Sequence, residues 1–381
     1  MAKSSSLNFD TLTLIAPLLL ILYLCIGFVP NWQAVDKIAP QWLAMSIINL
    51  LSFVYFIFNR KNISSKLTLN IKASLTLTYI GFILWAVGSV IYSINPTEVI
   101  VNIARQFNVF LMFFSMGILI TGLKNKLRFL PWLITLILGI EVYAVISDAI
   151  EMINNTGMIK SGNLKGITAN RNITAFSLAI KIPFVLYLIY LEKKISLKII
   201  LATLICAVLI SLTMIESRAS FLAVGFTTIA FLIMQIILYL KVNRKFSQLL
   251  NVGYLIIPLS MAIFVNQTFL STKGADVLSR AATISVSTDD GSVNQRLRYY
   301  EDVLTHMTSN PIFGVGLGNW KLKSIDYDAK DIDGYIVPYH AHSDFIQLGA
   351  ELGLIGFFFY LSIFVWALIY TYRLIRFAKI S

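Results

Sequence analysis

The sequence predicts an all-α polytopic membrane protein, with about ten transmembrane helices and one long extracytoplasmic loop between the last two. Three observations carry that reading. The 381 residues are 57% hydrophobic and only 13% charged, with a mean hydropathy of +0.76, outside the range of soluble globular domains. Several apolar runs reach the roughly 20 residues that a helix needs to cross about 30 Å of hydrocarbon. The basic residues, finally, fall on alternate connections between those runs.

In chain order the spans are expected at 11–29, 42–58, 72–94, 99–121, 128–150, 171–191, 197–215, 218–240, 249–270 and 343–372. The first follows a single lysine, Lys3, and lacks a small-x-small cleavage site, so it reads as a retained anchor and not a removed signal peptide. The last is long enough to tilt or to begin outside the bilayer. Cys25 and Cys206 both fall inside spans, with no paired spacing for a metal or redox motif, and read as packing residues.

The net charge of +12 is explained by position. Lys3; Arg60, Lys61, Lys66 and Lys72; Lys124, Lys126 and Arg128; Lys193, Lys194 and Lys198; Lys241, Arg244 and Lys245; and Arg373, Arg376 and Lys379 sit on every second connection. By the positive-inside rule those connections and both termini are cytoplasmic. Seventeen of the 31 basic residues are thereby accounted for by topology, which removes the case for a nucleic-acid partner. Of the 19 acidic residues only Asp10 and Glu192 lie on that side. The organisation follows: a nine-span helical bundle over 1–270, a periplasmic loop with an amphipathic helix over 271–342, and a final transmembrane helix with a cytoplasmic tail over 343–381.

The hydrophilic loop, which holds or borders all three histidines, mixes acidic and basic residues too evenly for a polyanion-binding tail, and reads as folded. Leu297, Tyr300, Leu304 and Met307 recur at helical spacing and stop at Asn310-Pro311, predicting an amphipathic helix on the outer membrane surface. Gly314, Gly316 and Gly318 alternate as in a nucleotide loop, but no strand precedes them and no Gly-Lys-Ser/Thr follows, so they predict a turn. Asp326, Asp328, Asp331 and Asp333 lack the spacing, the turn glycine and the closing glutamate of an EF-hand. They read as a solvated acidic loop, and no metal or cofactor is expected.

Charges inside spans call for pairing, snorkelling or function. Lys181, ten residues from either end of its expected span, reads as an ion pair with Glu141. Arg105 lies about six residues, or roughly 9 Å, inside its span; it either faces an outward cavity and meets an anionic headgroup or pairs with Asp148. Arg218 stands at a tight outer hairpin, where a snorkelling arginine is ordinary. Asn170, Arg171 and Asn172 begin the sixth span on the same side. A shared outer cavity lined by such donors suits a diphosphate, whose oxygens arginine binds bidentately.

In "HAHSDFIQLGAELGLIG", residues 340–356, Ser343, Gln347 and Glu351 recur every four residues and form a polar stripe on an otherwise apolar helix. Something polar must lie against it. Gly349 and Gly353 form a GxxxG pair that permits close approach to a neighbour. His340 and His342 fit interfacial capping or catalysis, and spacing alone does not separate the two.

His342, Ser343, nine residues, Gly353, two residues, Gly356 is similar to the H-[NSQ]-x9-G-x-x-[GTY] signature of bacterial O-antigen ligases, within the O-antigen ligase and polymerase superfamily. "SRAS" around Arg218 resembles that family's arginine motif at the outer start of a span. "RLRYYEDVLTHMTSNPIFGVGLGNW" resembles its loop segment, in which an arginine opens a helix ending in proline and glycines. "GITANRNITA" resembles its asparagine-containing start of the sixth span. These matches cover most of residues 160–360, although family members commonly carry further spans after the histidine motif. Arg296 is the best positional match for the loop arginine, with Arg298 two residues on.

The resemblance implies an inverting, metal-independent and cofactor-free glycosyltransferase. It would move a glycan from undecaprenyl diphosphate to an acceptor hydroxyl, in the leading reading O-antigen to lipid A-core, at the periplasmic face of the bacterial inner membrane. Its demands are stabilisation of charge on the leaving phosphate and alignment of the acceptor. Arg218 and Arg296 are then assigned to the diphosphate, and His342 is general base or acceptor-orienting group. Arg105, Arg171, Asn172, His340, Arg298, Ser343, Gln347 and Glu351 are the further substrate-binding candidates. An O-antigen polymerase or protein O-oligosaccharyltransferase would use the same donor and differ in acceptor. A secondary transporter or lipid-linked glycan flippase is the rival of another class, suited by Arg105, Glu141 and Lys181. Against it, the sequence shows no internal repeat, and Arg218, Arg296, His340 and His342 gather outside the midplane.

Overall fold

The computed structural model describes residues 9–123, 125–168, 170–240, 250–282, 291–329 and 339–377. Lys3, Lys124, Lys241, Arg244, Lys245, Lys379, Asp331 and Asp333, for which the sequence carried expectations, lie outside that set. The described residues form helices and short connections, with no strand among them. Nine of these helices are long and apolar enough to cross a membrane. The chain is an all-α, multi-pass membrane protein.

The chain divides into two compact units. The first gathers 1–23, 30–123 and 286–379, and holds α1 (Phe9–Leu24), α2 (Ala39–Phe58), α3 (Arg60–Ile71), α4 (Ser74–Gly88), α5 (Pro96–Thr121) and, after the second unit, α12 (Gly291–Ser309), α13 (Trp320–Asp328) and α14 (Asp344–Phe377). The second gathers the described residues among 24–29 and 124–285, and holds α6 (Lys126–Thr156), α7 (Arg171–Leu191), α8 (Ile195–Ile215), α9 (Arg218–Leu238), α10 (Gly253–Val265) and the short α11 (Val277–Ala282).

Two elements differ from the sequence expectation. The first helix stops at Leu24 and passes into a 3-10 turn at Ile26–Phe28, because Gly27 and Pro30 interrupt the apolar run. The helix, at 16 residues, is shorter than the roughly 20 that a full span needs. The basic connection after α2 is itself helical: α3 is too polar to register in a hydropathy window, and buries only Ile63.

Helix ends follow local chemistry. Asn95 caps α5 by accepting from the N–H groups of Thr97 at 3.0 Å and Glu98 at 3.5 Å, with Pro96 placed where a helix has no N–H to lose. Asn170 caps α7 in the same way, through Asn172 N–H at 2.9 Å. α6 ends at Gly157 with φ 73°, a left-handed position that glycine adopts without a Cβ penalty.

The second unit's core interleaves α6, α7, α8 and α10 through Leu138, Val142, Leu178, Ile182, Ile205, Val208 and Leu255. Within it Lys181 Nζ lies 2.7 Å from Glu141 Oε2, with Ser177 as a shared hydrogen-bond partner. That is the structural ion pair the sequence predicted, and it satisfies both intramembrane charges. The first unit's core joins α4, α5 and α14 through Phe82, Ala86, Val99, Phe110, Leu317 and Leu352.

Candidate functional site

α14 is not one continuous helix. Gly353 sits inside it at φ 67°, ψ −174°, so Asp344–Leu352 and the remainder are two helical pieces joined by a break. A break leaves backbone groups without helical partners, and in an apolar setting each must be satisfied. The glycine turn after α12 does this. Val315 N–H donates to Ala350 O at 3.0 Å, Gly316 N–H to Glu351 O at 2.8 Å, and Leu354 N–H to Pro311 O at 2.8 Å. Trp85 Nε1 closes the set on Leu352 O at 2.8 Å.

The turn needs its glycines. A Cβ on Gly314 would strike the backbone of Ala350 and Glu351, one on Gly318 would strike Asn102, and one on Gly353 would strike Ile312 O. Gly316 and Gly318 also sit at φ 93° and 76°, where only glycine is unstrained. Gly353 is thus a break point, not half of a helix-packing pair, while Gly349 does give close approach, to Met307 of α12.

The polar stripe on α14 finds its partners in backbone. Glu351, 3% exposed, accepts from Gly318 N–H at 2.8 Å and from Gln347 Nε2 at 2.9 Å. Gln347 Oε1 accepts from Ala341 N–H at 3.2 Å. One chain of hydrogen bonds thereby ties the 339–343 segment and the glycine turn to the first piece of α14.

Beside that chain lies a cavity of about 600 Å³ within the first unit, between α5, the glycine turn and α14. Arg105, His340, Gln347 and Glu351, all expected at a site, line it, together with Glu98, Asn102, Gln106, Lys321, Asp344 and the aromatic rings of Tyr79, Tyr339, Tyr360 and Phe364. Arg105 pairs with Asp36 at 2.8 Å and sits 5.8 Å over the Trp42 ring. The sequence offered Asp148 as a partner, but Asp148 accepts from Gly166 N–H at 3.1 Å. Lys321 pairs with Glu98 at 2.8 Å across the wall. Glu98, Asn102, Arg105 and Gln106 fall at helical spacing along one stretch of α5, a polar stripe in an apolar span that periodicity could have revealed. Aromatic faces beside paired charges and amides suit a hydroxyl-rich ligand.

His342 does not line that cavity. It lies two residues beyond His340, exposed, at φ 57°, and turns toward α12, where its ring stacks on Tyr299 at 6.0 Å and 20°. Partial desolvation, and then the positive charges of Arg296 and His340, hold its pKa below the usual histidine value. The imidazole is therefore neutral at pH 7 and free to accept a proton. Ser343 O accepts from Gln347 N–H at 2.9 Å in the first turn of α14.

α12 has the expected extent, but its buried face is Tyr299, Val303 and His306, while Leu297 and Leu304 are exposed. Two of the three buried residues carry polar tips with partners: Gln295 Nε2 donates to Tyr299 Oη at 2.8 Å, and His306 Nδ1 meets Tyr327 Oη at 3.1 Å. The two loop arginines also separate. Arg298 Nε lies 2.8 Å from Oδ1 of the 3% exposed Asp328, an ion pair at a poor hydrogen-bond angle. Arg296 is exposed, near enough to His342 to influence its protonation. Asp326 pairs with Lys323 at 2.8 Å. Among the described residues no three metal-ligating side chains cluster.

The remaining candidates lie in the second unit. α7 and α9 each begin with an arginine, and the short connections at 192–194 and 216–217 place both starts at one end of that unit. Arg171 Nη1 donates to Ser161 Oγ at 3.2 Å, and Asn172 is exposed. Arg218 follows a turn in which Glu216, at φ 55°, accepts from Asp276 N–H at 2.9 Å and from Arg280 Nε at 3.3 Å.

Fold and geometry define a multi-pass membrane protein with a polar cavity within its first unit and partly exposed arginines at the starts of two apolar helices of its second. Residues 199–361 match the family model described as O-antigen ligase. That segment, which spans both Arg218 at the start of α9 and His342 just before α14, is similar to the O-antigen ligase family, and the match supports glycan assembly of the ligase or polymerase type. No curated protein and no solved structure matches the chain.

Proposed function

We propose that this protein is an undecaprenyl-diphosphate-glycan-dependent transferase that joins O-antigen to lipid A-core at the periplasmic face of the bacterial inner membrane, with both termini cytoplasmic. The observation that carries it is the pairing, inside the family-matched segment, of a neutral exposed imidazole with an exposed arginine beside a cavity built for hydroxyl-rich ligands. His342 accepts the acceptor hydroxyl's proton as that oxygen attacks the anomeric carbon. The bond to the diphosphate breaks with inversion in one displacement, and Arg296 and Arg218 stabilise the charge left on the phosphate. Arg105, Arg171, Asn172, His340, Ser343 and Gln347 contact donor or acceptor. Arg298, through its ion pair with Asp328, holds the α12–α13 corner. Glu351 orients the 339–343 segment through Gln347. The reaction needs no metal, because diphosphate is already a good leaving group.

The test is conversion of undecaprenyl diphosphate-linked glycan plus lipid A-core into conjugate by the purified chain in nanodiscs. Conjugate from the wild type, with none from His342→Ala that still binds donor, supports the proposal. Longer lipid-linked chains in place of conjugate would make it a polymerase, and full turnover by the variant would overturn the role of His342. EDTA should leave the rate unchanged.

A further inference from the structure

A groove of about 700 Å³ runs within the first unit between α2, α3 and α5. We propose that it holds one acyl chain of an anionic phospholipid whose phosphate rests at Arg60. This inference is independent of the transfer reading. Leu50, Phe53, Ile57, Leu67, Leu111 and Phe114 make the walls apolar, as an acyl chain requires.

The two ends of the groove differ. At one, Arg60 and Lys61 are exposed where α2 gives way to α3, with Lys66 and Lys72 close behind, the kind of basic cluster that attracts anionic headgroups. At the other, Asn49 Nδ2 donates to Asn108 Oδ1 at 3.0 Å while Tyr23 Oη donates to Asn49 Oδ1 at 2.7 Å. Those polar groups are bonded to one another, so they close the groove and invite no headgroup of their own.

The dimensions fit a single leaflet. From Asn49 to Arg60, along α2, the rise is about 16 Å, half of the roughly 30 Å hydrocarbon thickness. The third wall is fixed in place: Lys66 Nζ donates to Thr121 O at 3.4 Å and Asn70 Nδ2 to Phe114 O at 3.5 Å, with Asn70 seated against Gly117. A headgroup phosphate at the mouth would meet Arg60 bidentately, which a neutral zwitterion does with less net attraction.

The experiment is native mass spectrometry of the full chain released from micelles carrying equal amounts of phosphatidylglycerol and phosphatidylcholine of the same chain length. Phosphatidylglycerol should be retained about fivefold over phosphatidylcholine, the preference expected of one cation at the surface. Arg60→Ala should erase that preference, Lys193→Ala should keep it, and Ser64→Phe, placed in the groove, should lower retention of both lipids. Circular dichroism checks that each variant keeps its helicity. Equal retention of the two lipids by the wild type would overturn the proposal. So would a second protein copy in place of lipid, or a Ser64→Phe variant that holds both lipids as before.

Discussion

Within the first unit, two histidine–arginine neighbourhoods lie along α12 and have opposite fates. His306 and Arg298 are absorbed into structure: the ring is buried between Trp320 and Tyr327, and the guanidinium is held by a buried carboxylate. Arg296, two residues before Arg298, and His342, whose ring stacks on Tyr299, are of the same residue types and stand exposed. The difference teaches that residue type and spacing nominate candidates, while burial with a fixed partner decides which of them is left to meet a substrate.

The largest effect should separate the two histidines. General base catalysis contributes about 10² to 10⁴ in rate, so His342→Ala should cut glycan transfer by that factor with an unchanged unfolding temperature. His306→Ala should do the reverse, losing about 2 kcal/mol of stability while the folded fraction keeps its turnover. If His306→Ala matched the rate loss at full stability, the contrast would collapse.

The arginines sharpen it next. Asp328→Ala removes the buried half of an ion pair, and an abandoned partner costs about 3 to 5 kcal/mol in a fully buried setting. Arg298 is about one third exposed, so the loss should sit near the lower figure in chemical unfolding. Arg296→Ala should move stability by less than about 0.5 kcal/mol and raise the donor concentration needed for half-maximal rate.

How far the contrast was readable in advance can be judged from these same residues. α12 announced itself through its periodicity and its Asn310-Pro311 stop, and Lys181 pointed to Glu141 because two charges in neighbouring spans leave few other solutions. The partner of Arg105 was hidden because Asp36 lies 69 positions away, in a connection without periodic signal. α3 was hidden because a polar helix looks like a loop to a hydropathy window. Gly353 was seen as a packing glycine, since its break becomes visible only when the 311–316 backbone is placed across it. The inward face of α12 was hidden because Tyr299 and His306 enter the core as polar residues, which no hydrophobicity scale counts.

Acid should then act on the two histidines through different observables. The folded pKa of His342 is lowered, so the base is intact at neutral pH and transfer should fall only as pH drops below about 6.5 and imidazolium forms. For His306, burial first and the Lys323 charge second lower the pKa. The folded state therefore binds fewer protons than the unfolded one, and stability is full above about 6.5 and declines below it. In His306→Phe the acid loss of stability should flatten while the acid loss of transfer persists. If both flattened together, one group would be serving both profiles.

The smallest expected effect concerns the link between cavity and histidine. Gln347 joins Ala341 N–H to Glu351, and a neutral hydrogen bond of this kind is worth about 1 kcal/mol. Gln347→Leu should therefore lower transfer by roughly fivefold to tenfold, through looser placement of the 339–343 segment. The position of the acid limb should not move, because the titrating ring and its charged neighbours are kept. Were Gln347→Leu as damaging as His342→Ala, the cavity wall would carry the chemistry and His342 would merely border it. A shifted acid limb would instead mean that Gln347 governs the ring's environment, and with it how far the exposed pair is independent of the structure that supports it.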